Sequence, residues 1–290
     1  MFNGVFTALI TPFKDNQIDE QSFRSFIDFQ IKEGIHGVVP VGTTGESPTL
    51  SHDEHKNAVE ICIDQVSKRV PVIAGTGSNN TEEAIDLTIH AQEAGADAAL
   101  VVTPYYNKPT QDGMYAHYEA ISKATKIPII IYNIPGRSVV DMTNETMLKL
   151  FKLENIVGVK DATSNIPRVY DAKTKIGSNF NLLTGDDATT LAFMLYGGHG
   201  AISVTSNIAP KLCSSFMNNC MQNNYKEASR INDILMPLHS ALFIESSPGP
   251  VKYAASKLNL CEDEVRLPLI NISEETKAIV DKALKHASLL

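Results

Sequence analysis

The sequence predicts a (β/α)8 barrel with a helical C-terminal extension, and two observations carry that prediction. Eight short β-rich segments alternate with longer helical patterns along the 290 residues, which is the order of elements in a barrel of βα units. Several segments, among them Leu100–Val102 and Ile129–Ile131, are apolar throughout, as strands covered on both faces are. A doubly wound sheet is the alternative, but no G-x-G-x-x-G motif follows the first segment.

The predicted strands are short and spread along the chain. Helix signals lie between them, because Ser51 and Glu54 form a capping-box pattern and Asn80 precedes a run that is acidic in its first turn. Gly34 and Gly95 stand where helix C-caps belong. In chain order the predicted strands are Val5–Ile10, Gly37–Val41, Val70–Gly75, Ala98–Thr103, Pro128–Tyr132, Ile156–Lys160, Asn181–Gly185 and Gly200–Val204.

The chain continues well beyond the last predicted strand. Ala209–Ser240, Pro250–Leu258 and Ser273–Ala287 all have helical patterns. We therefore expect a barrel domain over residues 1–222 and a helical extension over residues 223–290 that packs on the barrel.

Composition excludes several classes of protein. The net charge of -8 disfavours a broad surface for nucleic acid or anionic membrane. The four cysteines contain no C-x-x-C pair, which disfavours zinc ribbons and redox motifs. The N-terminus does not resemble a signal peptide, and no apolar run approaches the roughly 20 residues that span a bilayer. We expect a cytoplasmic protein with small-molecule substrates and no nucleic-acid or membrane partner.

Lys160 ends an apolar strand and is the strongest catalytic candidate, because barrel enzymes place their chemistry at the C-terminal ends of strands. Strand alternation predicts that Ile156, Gly158 and Lys160 point one way and the two intervening valines the other. An apolar barrel mouth would favour the neutral amine that attacks carbonyls, and Gly158 would leave room for a substrate. The alternative is a structural salt bridge from Lys160 to Asp161 or another carboxylate.

Side chains at other strand ends fit a Schiff-base aldolase, although each has a structural alternative. Tyr132 has inward parity and could shuttle protons beside an imine, or it could be a core tyrosine. Thr43 and Thr44 offer hydroxyl and N–H groups to a small carboxylate, or they form an ordinary turn. Arg137, in a glycine-bearing loop, is suited to bidentate carboxylate binding, or it is a solvated surface residue.

The acidic and histidine pairs are weaker candidates for a metal site. Asp186 and Asp187 have no histidine partners and are more typical of a helix N-terminus. His52 and His55 are three residues apart, but further zinc ligands are missing, and neither H-E-x-x-H nor Walker A sequences occur. The sequence predicts neither a metal nor an organic cofactor, which disfavours a metal-dependent aldolase.

Three motifs follow one another along the chain, and they are Gly42-Thr43-Thr44-Gly45-Glu46, Tyr132-Asn133-Ile134-Pro135-Gly136-Arg137 and Val159-Lys160-Asp161. In this order they resemble the dihydrodipicolinate synthase / N-acetylneuraminate lyase superfamily, and the likeness covers essentially the whole chain. The match is closest to the dihydrodipicolinate synthase branch, because the turn has Thr43 where sialic-acid lyases typically have serine, and because those lyases usually lack an arginine at the position of Arg137. The resemblance implies a lyase that joins pyruvate to L-aspartate-4-semialdehyde in diaminopimelate and lysine synthesis.

The same resemblance implies catalytic roles. Lys160 forms the imine with pyruvate, and Thr43 and Thr44 hold the pyruvate carboxylate. Thr44, Tyr132 and Tyr106 form a proton relay in which Tyr106 reaches across a dimer interface into the partner's site. A homotetramer built from two tight dimers is therefore expected.

Further binding positions follow from the resemblance. Arg137 holds the carboxylate of the semialdehyde, while Gly185 and Ile202 line the pyruvate pocket. Pro48 departs from the alanine often found in members that lysine inhibits, and the alternative is that the matching residues cap helices and pack the dimer interface. The positions that match the inhibitory lysine site are Ser47, His52, His55, Asn79, Glu83 and Tyr105.

Two rival functions stay open. One is another pyruvate aldolase of the same superfamily that acts on a sugar acid. The other is a non-catalytic barrel that binds a small ligand or regulates a partner, and the presence of the full catalytic set argues against it.

Overall fold

The computed structural model describes residues 2–290, which divide into two compact units. The lysine unit comprises residues 2–3 and 73–202, and the threonine unit comprises residues 4–72 and 203–290. The names refer to the candidate residues Lys160 and Thr43–Thr44. The predicted division at residue 222 stays a prediction.

Every predicted strand is present, and eight strands belong to one sheet. A short antiparallel hairpin, β2 with β3, was not predicted, because strands of two residues show no alternation. The strands of residues 2–290 are β1 (Gly4–Ala8), β2 (Phe13–Lys14), β3 (Gln17–Ile18), β4 (Gly37–Val39), β5 (Ile73–Gly75), β6 (Ala98–Val102), β7 (Ile129–Asn133), β8 (Ile156–Asp161), β9 (Asn181–Thr184) and β10 (Gly200–Ser203).

Helices occupy most of the segments between these strands, and all regular secondary structure after β10 is helical. None of the helices within residues 2–290 is both long and apolar enough to cross a membrane. They are α1 (Glu20–Lys32), α2 (His52–Val66), α3 (Thr81–Ala94), α4 (Gln111–Ala124), α5 (Pro135–Ser138), α6 (Asn144–Leu150), α7 (Ile166–Ile176), α8 (Thr190–Leu195), α9 (Pro210–Met221), α10 (Tyr225–Ala241), α11 (Gly249–Lys257) and α12 (Glu274–His286).

Most of the predicted helix ends are confirmed. Ser51 Oγ accepts from Glu54 N, and the Glu54 carboxylate accepts from Ser51 N, which is the predicted capping box. Gly95 caps α3 with φ 95°. The helical pattern predicted over Ala209–Ser240 is confirmed as two helices, α9 and α10, which are separated by a short turn where Asn223 adopts a left-handed φ of 60°.

In the lysine unit, strands β5 to β10 pair in parallel and in chain order. This order lacks the reversal that defines a doubly wound sheet. The core between the sheet and its helices contains Ile129, Ile131, Ile156 and Val159. Ile156 therefore lies on the same side as Val159, and its predicted orientation was wrong. The reason is a bulge, since the register shifts between Ile129, which pairs with Ile156, and the next pair.

In the threonine unit, β1 pairs in parallel with β4, and Val38 forms a parallel bridge with Val72, just before β5. Asn207 ties the end of β1 to the C-terminal half of the unit. Its side-chain oxygen accepts from Ile10 N at 3.0 Å, and its amide donates to Ala8 O at 2.7 Å. Buried polar groups are thus satisfied at the strand end, where the chain must turn.

Candidate active site

Lys160 and Tyr132 are neighbours across two paired strands. They are register partners in β8 and β7, and they are only 7% and 6% exposed. The adjacent residues Ile131 and Val159 pack on the helix side, so strand alternation directs Tyr132 and Lys160 to the opposite face. Lys160 Nζ lies 4.0 Å from the centroid of the Tyr132 ring. The predicted inward parity of both side chains is therefore confirmed.

Gly185 provides the space that the Lys160 side chain occupies. A Cβ atom at position 185 would lie 2.7 Å from Lys160 Cε and 2.9 Å from Ala162 Cβ. Gly158 does not leave room for a substrate as predicted, because a Cβ there would lie 2.3 Å from Asn181 O. Its role is to let β9 approach β8 closely.

Asp161, the acid considered as a salt-bridge partner of Lys160, pairs with another residue. The Asp161 carboxylate pairs with Arg168 Nε at 3.0 Å and accepts from Thr163 N at 2.8 Å. Arg168 also pairs with Asp141 at 2.9 Å. Asp161 is thus engaged away from Lys160, by an arginine that the sequence analysis missed because no motif marks it.

Arg137 and Tyr106 are exposed, in contrast to Lys160. Arg137 lies in α5, immediately after the strand that carries Tyr132. Tyr106 is 88% exposed and has a left-handed φ of 70°, which is uncommon for an aromatic residue. Asn79 Nδ2 donates to Tyr105 O at 3.2 Å and so supports this loop.

Thr43 and Thr44 form the tight turn that follows β4. Gly45 N donates to Gly42 O at 3.0 Å, and Glu46 N donates to Thr43 O at 3.1 Å. Thr44 is 5% exposed, whereas Thr43 is half-buried. The turn is therefore held by its own backbone and presents both threonines from one short segment.

Glu46, the last residue of this motif, is a buried acid to which the sequence analysis gave no role. It is 2% exposed and adopts a left-handed φ of 57°. Its carboxylate pairs with Lys252 Nζ at 2.5 Å. The signal was present as an acid inside a buried motif, but its partner lies in the distant C-terminal region.

Ile202 and the members of the predicted regulatory site have defined places. Ile202 is 1% exposed and lies in β10. Asn79 and Tyr105 are hydrogen-bonded to each other, and Glu83 accepts from the Ser78 hydroxyl. The remaining members belong to the threonine unit, at the start of the turn Ser47–Thr49 and in the first turn of α2, and are Ser47, His52 and His55. Their joint role stays a prediction.

The Asp186–Asp187 pair is a helix N-terminus. Asp187 begins a short 3-10 helix, and Asp186 accepts from Ser164 Oγ at 2.8 Å and from Thr189 Oγ1 at 2.7 Å. Over residues 2–290, no cluster of three or more His, Cys, Asp or Glu side chains is arranged to hold a metal ion.

Comparison with known proteins assigns the family. The profile of the Dihydrodipicolinate synthetase family matches residues 1–287. The chain belongs to this family. It is 58% identical to a 4-hydroxy-tetrahydrodipicolinate synthase of Afipia carboxidovorans, over 100% of this chain and 98% of the relative.

Solved structures of the family are similar over the full length. A chloride-inhibited dihydrodipicolinate synthase of Acinetobacter baumannii complexed with pyruvate is 43% identical, with a TM-score of 0.98 and 100% of both chains covered. A family member from Cyanidioschyzon merolae with lysine bound is 37% identical, with a TM-score of 0.97 over 100% of this chain and 99% of that chain. The predicted (β/α)8 fold, family and lyase class are confirmed.

Proposed function

We propose that this enzyme condenses pyruvate with L-aspartate-4-semialdehyde to 4-hydroxy-tetrahydrodipicolinate through an imine between pyruvate and Lys160. The condensation rests on family membership. The imine rests on one observation, which is a buried amine 4.0 Å from the Tyr132 ring centroid beside an acid, Asp161, that pairs with Arg168 instead. Such an amine is positioned to attack a carbonyl.

The chemistry follows from the amine. Lys160 Nζ attacks the pyruvate carbonyl carbon, and the carbinolamine loses water to give a protonated imine. This imine is an electron sink, so the pyruvate methyl group loses a proton and becomes an enamine carbon that attacks the aldehyde. The amine of the product then displaces Lys160, which closes the ring and regenerates the enzyme. Tyr132, whose ring lies against Nζ, is the group best placed to move protons during dehydration.

The remaining roles extend the same proposal. Thr43 and Thr44 hold the pyruvate carboxylate, for which hydroxyl and backbone N–H groups are suitable donors. Thr44, Tyr132 and Tyr106 relay protons, and Arg137 binds the semialdehyde carboxylate through its bidentate fork. The similar Acinetobacter baumannii protein, whose structure contains pyruvate, supports this ligand for the present chain.

Borohydride trapping tests the imine. Reduction with pyruvate present should add the mass of the reduced adduct to the peptide that contains Lys160, and Lys160→Ala should abolish the adduct. Labelling of a different lysine would contradict the proposal. Omission of pyruvate is the control for non-specific reduction.

An aldehyde panel tests the second substrate. We expect aspartate semialdehyde to be turned over in preference to sugar aldehydes with pyruvate as the donor. Arg137→Leu should raise KM for the semialdehyde about tenfold or more while pyruvate trapping is unchanged. A preference for a sugar aldehyde would favour the rival sugar-acid aldolase.

Tyr106 supports a proposal about assembly. An 88% exposed tyrosine at a left-handed position is suited to contact a second copy. From the family resemblance we expect a homotetramer of two tight dimers, and we propose a cytoplasmic location. Sedimentation analysis measures the assembly, and Tyr106→Phe should lower turnover without dissociating the dimer if its hydroxyl serves the partner's relay. A monomer with full activity would contradict this role.

Regulation by lysine is proposed for the set Ser47, His52, His55, Asn79, Glu83 and Tyr105. The similar Cyanidioschyzon merolae protein with lysine bound supports it. Titration of activity with lysine tests it, and the absence of inhibition at millimolar lysine would remove the regulatory role. Glu83→Gln should weaken the inhibition and leave uninhibited turnover in place.

A further inference from the structure

Glu46 and Lys252 form the most deeply buried ion pair in the part of the chain that the structure describes. Their side chains are 1% and 0% exposed, and Glu46 Oε1 lies 2.5 Å from Lys252 Nζ. Lys252 Nζ also donates to Glu264 O at 2.7 Å and lies 3.9 Å from the centroid of the Phe13 ring. Removing either charge leaves the other buried without its ion-pair partner, so the two side chains hold each other in place.

The second carboxylate oxygen of Glu46 has a partner of its own. Arg266 N donates to Glu46 Oε2 at 3.0 Å, and the Arg266 guanidinium donates to Thr49 O at 3.1 Å. One acid at the end of the threonine turn is thus bound to α11 through Lys252 and to the segment around Arg266. These contacts fix the turn from outside the barrel strands.

Glu46 occupies a backbone position that needs such support. Its φ of 57° is left-handed, a region that is unfavourable for residues other than glycine. Glu46 N nevertheless closes the turn by donating to Thr43 O at 3.1 Å, and Glu46 O accepts from Thr49 N at 3.0 Å. The side-chain anchor and the backbone of the turn therefore share one residue.

We infer that Glu46 is a positioning residue whose buried pair with Lys252 holds the Thr43–Thr44 turn in the shape that binds the carboxylate of the keto-acid substrate. The inference rests on the proposed function of the two threonines. It also gives the C-terminal helical region a part in substrate binding, because Lys252 belongs to α11. Glu46 contacts no substrate in this scheme and acts through the turn.

A comparison of pyruvate with pyruvamide tests this role. Both ketones can form an imine with Lys160, but pyruvamide lacks the carboxylate charge. Glu46→Gln should raise the pyruvate concentration for half-maximal borohydride trapping at least tenfold, and it should change the value for pyruvamide less than twofold. Equal shifts for both ketones, or no shift for pyruvate, would overturn the inference.

Two further variants keep the test decisive. If Glu46→Gln does not fold, the double variant Glu46→Gln/Lys252→Met removes both buried charges and is scored by the same ratio. Glu274→Gln is the matched control, because Glu274 also pairs with a lysine, Lys277, at 2.7 Å, and that lysine also lies near a ring, 5.7 Å from the Tyr253 centroid. The control variant should leave the concentration for half-maximal trapping unchanged for both ketones. Failure of the wild-type enzyme to trap pyruvate at all would instead contradict the proposed function.

Discussion

Two buried lysines in this enzyme have similar aromatic neighbours and different electrostatic partners. Lys160 Nζ lies 4.0 Å from the Tyr132 centroid, and Lys252 Nζ lies 3.9 Å from the Phe13 centroid. Lys252 has a carboxylate at 2.5 Å, whereas the acid beside Lys160 is held by Arg168. Burial lowers the pKa of Lys252, and Glu46 opposes that shift.

Under the proposed function, the difference shows how one chain would use the same side chain for structure and for chemistry. An ammonium fixed by a carboxylate and a carbonyl oxygen stabilises its surroundings and is a poor nucleophile. An amine against a tyrosine ring, with Gly185 leaving it space, can react with a carbonyl. We therefore expect the neighbouring acids and glycines, and not burial alone, to separate the structural role of Lys252 from the proposed catalytic role of Lys160.

The largest expected effect concerns turnover. Lys160→Ala removes the only amine assigned to the imine, so we expect kcat to fall by about 10³-fold or more. Lys149→Ala, an exposed lysine in α6, is the control and should keep full turnover. Steady-state kinetics measure both, and retention of activity by Lys160→Ala would show that the two buried lysines do not differ as argued.

The second effect concerns stability and should differ between the two lysines. Lys252→Met leaves Glu46 charged and buried, which should reduce the free energy of unfolding by about 3–5 kcal/mol. Lys160→Met replaces a buried amine that has no carboxylate at ion-pair distance within residues 2–290. Its free energy of unfolding should change by less than about 1.5 kcal/mol, or rise. Denaturant unfolding at one protein concentration compares them, and equal losses would contradict the distinction.

The sequence predicted which strands carry the site residues better than it predicted which residues those side chains contact. All eight strands of the sheet and the inward parity of Lys160 and Tyr132 follow from alternation and βα order. The orientation of Ile156 did not, because a bulge at one register step reverses the alternation. Bulges depend on pairing with the next strand, which a single segment does not encode.

Charge pairs that form only on folding explain most of what the sequence analysis missed in the site. Arg168 and Lys252 carry no motif, and each becomes informative only when folding brings it to Asp161 or Glu46. The predicted reason for a glycine at position 158 was wrong. The space that a side chain there would need is occupied by Asn181 O on the neighbouring strand, and not by a substrate. Residue type at a strand end is visible in sequence, whereas the identity of its neighbour is not.

A smaller effect should come from filling the space beside Lys160. A Cβ at position 185 would lie 2.7 Å from Lys160 Cε, so Gly185→Ala should displace the amine and reduce the rate of imine formation about tenfold. Single-turnover trapping with pyruvate measures this rate. Gly113→Ala, in the first turn of α4, is the control and should leave it unchanged. An unaltered rate in Gly185→Ala would show that Lys160 does not depend on this space.

The smallest effect distinguishes the partly exposed ion pair of Arg266 with Glu54 from the buried pair of Lys252 with Glu46. This effect depends on pH. Arg266 pairs with Glu54 at 2.6 Å and, by hydrogen bonding, holds the pKa of Glu54 at about 2, below its ordinary value of 4.5. Because the folded pKa is the lower one, the stabilisation is present above about pH 4.5 and is lost as the pH falls towards 2. Glu54→Gln should therefore be less stable than wild type by about 1–2 kcal/mol at pH 7, after allowance for solvent screening.

That deficit should shrink in acid, because below about pH 4.5 the unfolded wild-type chain takes up a proton at Glu54 while the folded protein, in which the pKa is about 2, still holds the charge. Urea unfolding at pH 7 and pH 3 measures it, with Glu227→Gln, in the exposed pair with Arg230, as the control whose deficit should be near zero at both values. A Glu54→Gln deficit that is independent of pH would mean that its origin is altered hydrogen bonding to Arg266 or Ser51 and not the charge. The pair at Arg266 would then support the segment beside Glu46 through geometry alone.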